Sequence, residues 1–142
     1  MKHQRKELHE QAHFVSWCKE QGLEVYAVPL STFTDSWLAI NDNKTAGVRR
    51  GIPDIILFIP TNRSTTGKTH LLFIEMKKDK KDGKAYLSKE QKYFLLLVDQ
   101  IYGDIHGKVC HGYKEAIAFV RPLTKEISEA EQRQWLIDNN LT

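Results

Sequence analysis

Two carboxylates and one amine stand at the ends of two apolar segments of this chain. Asp54 comes directly before the apolar run at residues 55–59, and Glu75 and Lys77 end the apolar run at residues 71–77. Buried strands ordinarily avoid charge, because taking an ion out of water costs free energy unless a partner compensates it. Two carboxylates held together repel each other unless one is protonated or a cation lies between them. A divalent ion such as Mg²⁺ resolves that repulsion and also binds phosphate oxygens, so these residue types suit phosphodiester hydrolysis.

The spacing predicts that these three side chains meet in a β-hairpin. Both apolar runs have strand character, and the turn-rich residues 60–70 between them favour an antiparallel pair with a long loop. That pairing brings Asp54, at the start of one strand, beside Glu75, near the end of the other. Lys77 lies two residues beyond Glu75 on the same face, roughly 6.5 Å along the strand and within reach of a phosphate or an attacking water. The competing interpretation is a turn residue at Asp54 and an ordinary edge-strand ion pair between Glu75 and Lys77.

Hydrophobic periodicity and turn residues predict the elements around this hairpin. They are a helix at residues 5–21, a strand at 25–28, a hairpin within 30–50, strands at 55–59 and 71–77, a helix at 89–102, a strand at 106–111, a helix at 114–121 and a last helix after Ser128. The predicted buried stripes are Leu8, Ala12, Val15 and Cys18 on the first helix and Phe94, Leu95, Val98, Ile101 and Tyr102 on the second. This order predicts an α/β fold of the α+β type, with a central mixed sheet flanked by helices. We expect one domain at residues 1–121, with a helical extension at residues 122–142 packed on it.

Length and composition are those of a single domain. A chain of 142 residues with 41% hydrophobic content is enough for one core. Two cysteines, Cys18 and Cys110, give neither a disulfide framework nor a zinc cluster. The N-terminal residues lack the apolar stretch of a signal peptide, and no apolar run approaches the ~20 residues needed to cross a bilayer. We therefore expect a cytoplasmic protein.

Basic residues cluster on both sides of the hairpin motif, although the formal net charge is only +3. The clustered residues are Arg49, Arg50, Lys78, Lys80, Lys81 and Lys84. If the hairpin forms, these side chains flank the predicted metal site and neutralise phosphates on either side of it, which makes them candidate nucleic-acid contacts. The alternative is that the lysines belong to a solvated loop, since Asp79 and Asp82 interrupt them.

The first predicted helix contains a second motif that could do chemistry. His9-Glu10-Gln11-Ala12-His13 has the form H-E-x-x-H, in which two histidines one helical turn apart bind Zn²⁺ and the glutamate activates water in zinc proteases. Against a protease, the motif begins too early in the chain for an upstream sheet to bind a peptide. His9 and His13 also fall on the polar arc of the helix, whereas Glu10 falls beside Phe14 and is expected to face inward.

At the hairpin motif the sequence resembles a known family. Pro53-Asp54 followed by Glu75-Met76-Lys77 has the pattern of the PD-(D/E)XK nuclease superfamily. The wider context, G-I-P-D-I, I-E-M-K, G-K-A-Y-L-S-K-E-Q-K-Y-F and K-V-C-H-G-Y-K-E-A, resembles its VRR-NUC (virus-type replication-repair nuclease) branch over about residues 7–120. The PD and ExK pair alone is a weak signal. Both apolar strands, the Ser-x-x-Gln helix start and the closing strand make it much more specific.

The resemblance implies a restriction-endonuclease-like core and a DNA endonuclease that uses Mg²⁺ or Mn²⁺. Asp54, Glu75 and the main-chain carbonyl of Met76 would bind the metal, and Lys77 would position or help deprotonate the attacking water. Glu10, which matches the family position better than Glu7 does, would support the metal through water. The implied substrate is structured DNA, such as a flap, fork or four-way junction in replication, repair or recombination, and the implied assembly is a homodimer. A DNA-binding accessory protein that keeps the fold without cutting remains the alternative.

Gln91 has two interpretations. The resemblance implies that this glutamine faces the active site from the start of the helix after the ExK motif. The sequence Ser88-Lys89-Glu90-Gln91 is equally a capping box, in which the Gln91 side chain returns a hydrogen bond to the Ser88 amide. Both roles can coexist, because the first turn of this helix would point towards the site.

Overall fold

The computed structural model of the protein describes residues 2–28, 42, 44–47 and 49–142. The helices are α1 (Lys2–Glu20), α2 (Lys89–Asp99), α3 (Tyr113–Val120) and α4 (Glu129–Asp138), and the strands are β1 (Glu24–Ala27), β2 (Ile55–Ile59), β3 (His70–Lys77) and β4 (Ile105–His111). Short 3₁₀ turns lie at Thr61–Arg63, Lys80–Asp82 and Arg121–Leu123. The hairpin predicted within residues 30–50 falls mainly on residues outside this description.

The four strands form one mixed sheet in the order β1-β2-β3-β4. The β1–β2 and β2–β3 pairs are antiparallel, and the β3–β4 pair is parallel. The predicted hairpin is therefore confirmed, and its register pairs Ile55 with Ile74. Asp54 precedes Ile55 and Glu75 follows Ile74, so the two acidic residues lie next to each other across the strand pair. A four-stranded mixed sheet flanked by helices is the predicted α+β fold.

The two faces of β3 have different partners, as the alternation of its side chains predicts. Leu72, Ile74 and Met76 are at most 1% exposed and belong to the main core. That core also contains Phe14 and Cys18 of α1, Leu57 and Ile59 of β2, Cys110 of β4, and Ala116 and Val120 of α3. The other face packs against α2, where the rings of Phe73 and Phe94 are edge to face with centroids 5.2 Å apart. Full burial of each large apolar side chain contributes roughly 1.5–3 kcal/mol, so this core fixes the sheet that carries the acidic residues.

The predicted apolar stripe of α1 is partly wrong. Leu8 is 60% exposed and Ala12 is also exposed, whereas Phe14 and Cys18 are fully buried. The buried face is rotated so that the half-buried Glu7 and Glu10 point inward with Phe14. This rotation costs little, because both carboxylates find cationic or N–H partners on the inner side, at Lys77 and at the backbone of Tyr113.

The stripe predicted for the second helix is also too long. The helix ends at Asp99, and the residues beyond it, Ile101 and Tyr102, are 49% and 99% exposed. Of the predicted stripe, Val98 is buried and Phe94 and Leu95 are half-buried.

The chain beyond α3 attaches to the loop between β2 and β3. Ser64 forms an isolated antiparallel bridge with Thr124, and the Lys125 N–H donates to the Arg63 carbonyl at 2.7 Å. The Asn62 side-chain amide donates to Gln132 of α4 at 3.1 Å. Ser128 accepts a hydrogen bond from the Glu131 N–H, which is half of the capping box predicted for the last helix.

Candidate active site

Asp54 extends the β2–β3 ladder with its side chain. The buried Pro53 has no N–H to donate, and β2 begins only at Ile55. The Asp54 Oδ2 atom accepts a hydrogen bond from the Met76 N–H at 2.9 Å. A carboxylate oxygen thus takes the place of a main-chain acceptor, which holds the Asp54 side chain against the backbone of the ExK motif.

Glu75 is an acidic side chain buried in a protein interior. It is 3% exposed, and its Oε1 atom lies 3.6 Å from the Lys77 Nζ atom and accepts from the Gln91 Nε2 atom at 2.7 Å. Its Oε2 atom is buried, and no donor in the described part of the chain reaches it. Burial, and secondarily the charge of Asp54, raises the pKa of Glu75 to about 8. Burial also raises the pKa of Asp54, against the lowering effect of the Met76 N–H.

Lys77 brings one positive charge to this cluster. It is 8% exposed, and its Nζ atom lies 3.6 Å from Glu75 and 3.9 Å from the Oε1 atom of Glu7 on α1. Glu7 is near enough that its charge also raises the pKa of Glu75. The Lys77 ammonium group is thus shared between Glu7 and Glu75, and its charge also acts to lower the pKa of Asp54 against the effect of burial.

Gln91 plays both of its predicted roles at once. The Ser88 N–H donates to the Gln91 Oε1 atom at 2.8 Å, and the Gln91 N–H donates to the Ser88 hydroxyl at 3.1 Å, which completes a capping box at the start of α2. The Nε2 end of the same amide donates to Glu75. The cap fixes the amide plane, so the donor that reaches Glu75 is held in place by the backbone.

Gly51 allows the segment before Asp54 to touch the start of α2. Its φ is +101°, and a Cβ atom there would lie 2.6 Å from both the carbonyl carbon and oxygen of Glu90. Only glycine accepts this conformation and this contact together. The contact brings the Pro53-Asp54 pair and the helix that carries Gln91 to the same edge of the sheet.

Two acidic residues of α1, Glu7 and Glu10, contact different parts of the chain. Glu10 accepts a hydrogen bond from the Tyr113 N–H at 2.7 Å and so stabilises the start of α3. Glu7, which matches the family position less well than Glu10 does, is the α1 carboxylate close to Lys77. The signal that could have found it is the spacing of Glu7, Phe14 and Cys18 on one helical face.

The H-E-x-x-H residues make other contacts. The rings of His9 and His13 lie 5.3 Å apart, His13 stacks on Tyr113, and Glu10 is bonded to the Tyr113 backbone. Over the described ranges, no group of three or more His, Cys, Asp or Glu side chains is arranged to hold a metal ion. A zinc-protease centre therefore has no support in this part of the molecule.

Most of the basic residues predicted to contact nucleic acid are exposed. Arg49 and Arg50 line a cleft of about 490 Å³ between residues 47–52 and α2, and Lys80, Lys81 and Lys84 are exposed beyond the end of β3. Lys78 differs, because it is only 4% exposed and its Nζ atom lies beneath Gly83. The exposed residues lie on the chain segments that precede Asp54 and follow Lys77, whereas Lys78 is buried.

The acidic cluster fits a divalent metal ion through side chains and main chain together. Asp54 and Glu75 supply the hard carboxylate oxygens that Mg²⁺ and Mn²⁺ prefer, with the main chain of Met76 between them. The fit depends on the Glu75 Oε2 atom, a buried acceptor that no donor of the described residues satisfies.

A mixed sheet flanked by helices, with Pro53-Asp54 and Glu75-Met76-Lys77 brought together across one strand pair, defines a nuclease of the PD-(D/E)XK type. Residues 1–114 match the family model of the VRR-NUC domain. The chain belongs to the VRR-NUC family, and it is therefore a nuclease, a hydrolase that binds DNA. Neither a curated protein nor a solved structure matches this chain. Across the residues that the structure describes, no helix is long and apolar enough to span a bilayer.

Proposed function

We propose that this protein is a Mg²⁺- or Mn²⁺-dependent DNA endonuclease that acts on structured DNA such as a flap, fork or four-way junction during replication, repair or recombination. One observation carries the metal dependence. The Glu75 carboxylate is buried beside Asp54 with one oxygen lacking any donor from the described residues. A buried acid in that state is stabilised either by a proton or by a cation, and a cation would also supply the Lewis acid that assists phosphodiester hydrolysis.

The metal would be held by Asp54, Glu75 and the main-chain carbonyl of Met76. When bound, the ion supplies Lewis-acid stabilisation of the charge that develops on the phosphate. Glu7 takes the supporting role on α1 that the sequence suggested for Glu10, because Glu7 lies beside Lys77 while Glu10 holds the start of α3.

Lys77 positions the attacking water and donates hydrogen bonds to a non-bridging phosphate oxygen. Its Nζ atom lies within 4 Å of two acidic side chains, Glu7 and Glu75, which hold it at the cluster. Gln91 orients Glu75, because its amide is fixed by the cap of α2.

The DNA would lie across the exposed basic residues around the cluster. Arg49 and Arg50 flank one side, and Lys80, Lys81 and Lys84 flank the other. Each phosphate contact releases counterions, so binding weakens as salt increases.

We also propose a homodimer. Tyr93, Leu97 and Ile101 are spaced four residues apart along α2 and beyond its end, and they are 54%, 45% and 49% exposed. Tyr93 and Leu97 share one face of α2, Ile101 follows just beyond its end, and exposed apolar side chains grouped in this way are typical of an interface. Sedimentation velocity checks this: a dimer is expected for the wild type and a monomer for Leu97→Glu.

The proposed activity is tested by incubating the protein with flap, fork, four-way-junction and plain duplex DNA in Mg²⁺, Mn²⁺ or EDTA. We expect cleavage of the structured substrates that requires the metal and is lost in Asp54→Asn and Lys77→Ala. Asp99→Asn, a change of the same kind at an exposed position on α2, is the matched control and should cut like the wild type. Binding without metal-dependent cleavage would instead identify an accessory DNA-binding protein.

A further inference from the structure

Three aromatic rings form a ladder on the outer side of α1 beside the acidic cluster. The His9 and His13 rings have centroids 5.3 Å apart with their planes tilted by 59°, and His13 stacks on Tyr113 of α3 with centroids 4.9 Å apart and an interplanar angle of 23°. His9 and His13 are exposed, whereas Tyr113 is half-buried against the core. The inner end of the ladder is therefore anchored, and its outer end is open to solvent.

The same stretch of α1 lines a shallow cleft that carries two basic and two acidic side chains. The cleft is about 260 Å³ and is lined by Arg5, Lys6, His9, Glu10 and Asp82. Lys6 pairs with Asp82 at 3.3 Å while both side chains remain partly exposed, and Glu10 is occupied by the Tyr113 N–H. An exposed ion pair of this kind is worth little and opens readily for a phosphate.

The ladder is connected directly to the backbone of the ExK motif. The Gly112 N–H donates to the Lys77 carbonyl at 2.9 Å, and Tyr113 is the next residue. On α1, Glu7 contacts Lys77 on the inner side of the helix, whereas His9 and His13 are exposed. Tyr113 therefore lies next to the end of β3, and His13 and His9 extend from it along α1.

We propose that His9 and His13, anchored by Tyr113, form a stacking platform for an unpaired DNA strand next to the cleavage site, with Arg5 and Lys6 contacting its phosphates. This inference rests on the proposed nuclease function and specifies the substrate further. Aromatic rings beside basic side chains are a usual means of binding single strands, because every unpaired base offers a free face. Bases inside a duplex are stacked on each other and offer none, so the platform selects substrates with an unpaired segment.

The test is DNA binding without cleavage. Fluorescence anisotropy in EDTA measures the affinity for a labelled 12-nucleotide thymidine strand and for a blunt duplex of the same length. We expect His9→Ala and His13→Ala each to weaken single-strand binding roughly five- to tenfold with little change for the duplex. His13→Phe, which keeps an aromatic ring without imidazole nitrogens, should retain most of the affinity. Tyr102→Ala, which removes a ring that is 99% exposed just beyond the end of α2, is the matched control.

The stacking platform and the nuclease activity can be overturned independently of each other. Unchanged single-strand affinity in both alanine variants overturns the platform. An equal loss of single-strand affinity in His13→Phe and His13→Ala also overturns it. Either result holds even if the wild type shows metal-dependent cleavage. Absence of cleavage by the wild type, with selective loss of single-strand binding in the variants, overturns the nuclease proposal and leaves the platform intact. Thermal melting of each variant confirms that the comparison is between folded proteins.

Discussion

The Nε2 atom of Gln91 lies 2.7 Å from the Oε1 atom of Glu75, so one hydrogen bond joins the first turn of α2 to the end of β3. The other end of the same amide closes the capping box with Ser88. Helix initiation and the orientation of the buried acid are therefore coupled through one side chain.

Replacing Gln91 separates its two roles. Gln91→Ala removes the Gln91 side-chain half of the cap and the donor to Glu75, and we expect roughly 10- to 100-fold lower cleavage, the usual effect of losing a partner that orients a metal ligand. Ser88→Ala removes the Ser88 side-chain half of the cap only, so it should cost about 1 kcal/mol of stability and leave cleavage nearly unchanged. Cleavage rates and urea unfolding of the two variants distinguish the roles. Equal activity loss in both would show that Gln91 acts through the helix alone.

Metal-free protein should lose stability as pH rises from the ordinary glutamate pKa towards 8. Burial raises the pKa of Glu75 from 4.5 to about 8, so in this window the folded chain holds a proton that the unfolded chain releases. The free energy of unfolding then falls with increasing pH, by roughly 2–4 kcal/mol across the window. Urea unfolding in EDTA at several pH values measures the slope, and Glu75→Gln should flatten it. A slope of the opposite sign in the wild type would contradict the assignment.

The buried His70 should lower the stability of the protein on acidification, the opposite direction to the effect of Glu75. His70 is 2% exposed, and its Nδ1 atom lies 3.1 Å from His106 Nε2 while its Nε2 atom lies 2.8 Å from the Thr66 hydroxyl. Burial lowers the pKa of His70 below 6.5, against the opposing charge of Asp104. Below pH 6.5 the unfolded chain binds the proton more readily, so stability is lost on acidification. Glu75→Gln isolates this effect, and adding His70→Asn to it should remove the remaining acid-side slope.

Gly51 should be intolerant of any side chain. Gly51→Ala places a Cβ atom 2.6 Å from the Glu90 backbone at a φ of +101°, so the 49–53 segment must move away from α2. We expect a loss of roughly 2 kcal/mol or more and a fall in cleavage, because Asp54 shifts relative to Glu75. Gly67→Ala has a positive φ of +77° but open space around it, and it separates backbone strain from the clash. Equal effects of the two changes would rule out the contact with α2 as the cause.

The hairpin and its acidic pair could be predicted because they depend on local signals. Two apolar runs, a turn-rich connection and alternation along β3 are sufficient to bring Asp54 beside Glu75. Gln91 could be predicted for the same reason, since a capping box fixes where its helix begins.

The parts that the sequence did not predict depend on packing between distant segments. Glu7 and Glu10 both fall on the inward side of α1, and only the rotation of that helix against β3 decides which one meets Lys77. The burial of Lys78 depends on the path of the loop through Gly83. The contact between His70 and His106 arises because β3 and β4 pair in parallel, which places residues 36 positions apart side by side.

The central claim is that a divalent cation compensates the paired acids of β2 and β3. Isothermal titration of Mn²⁺ at pH 7, repeated in buffers of different ionisation enthalpy, tests it most directly. We expect one ion to bind per chain, with release of a proton from the Glu75 carboxyl, whose pKa is raised to about 8. We expect Asp54→Asn to lose this binding and Asp99→Asn to bind normally. Wild-type protein that binds no Mn²⁺, or an Asp54→Asn variant that binds it as tightly as the wild type, would contradict it.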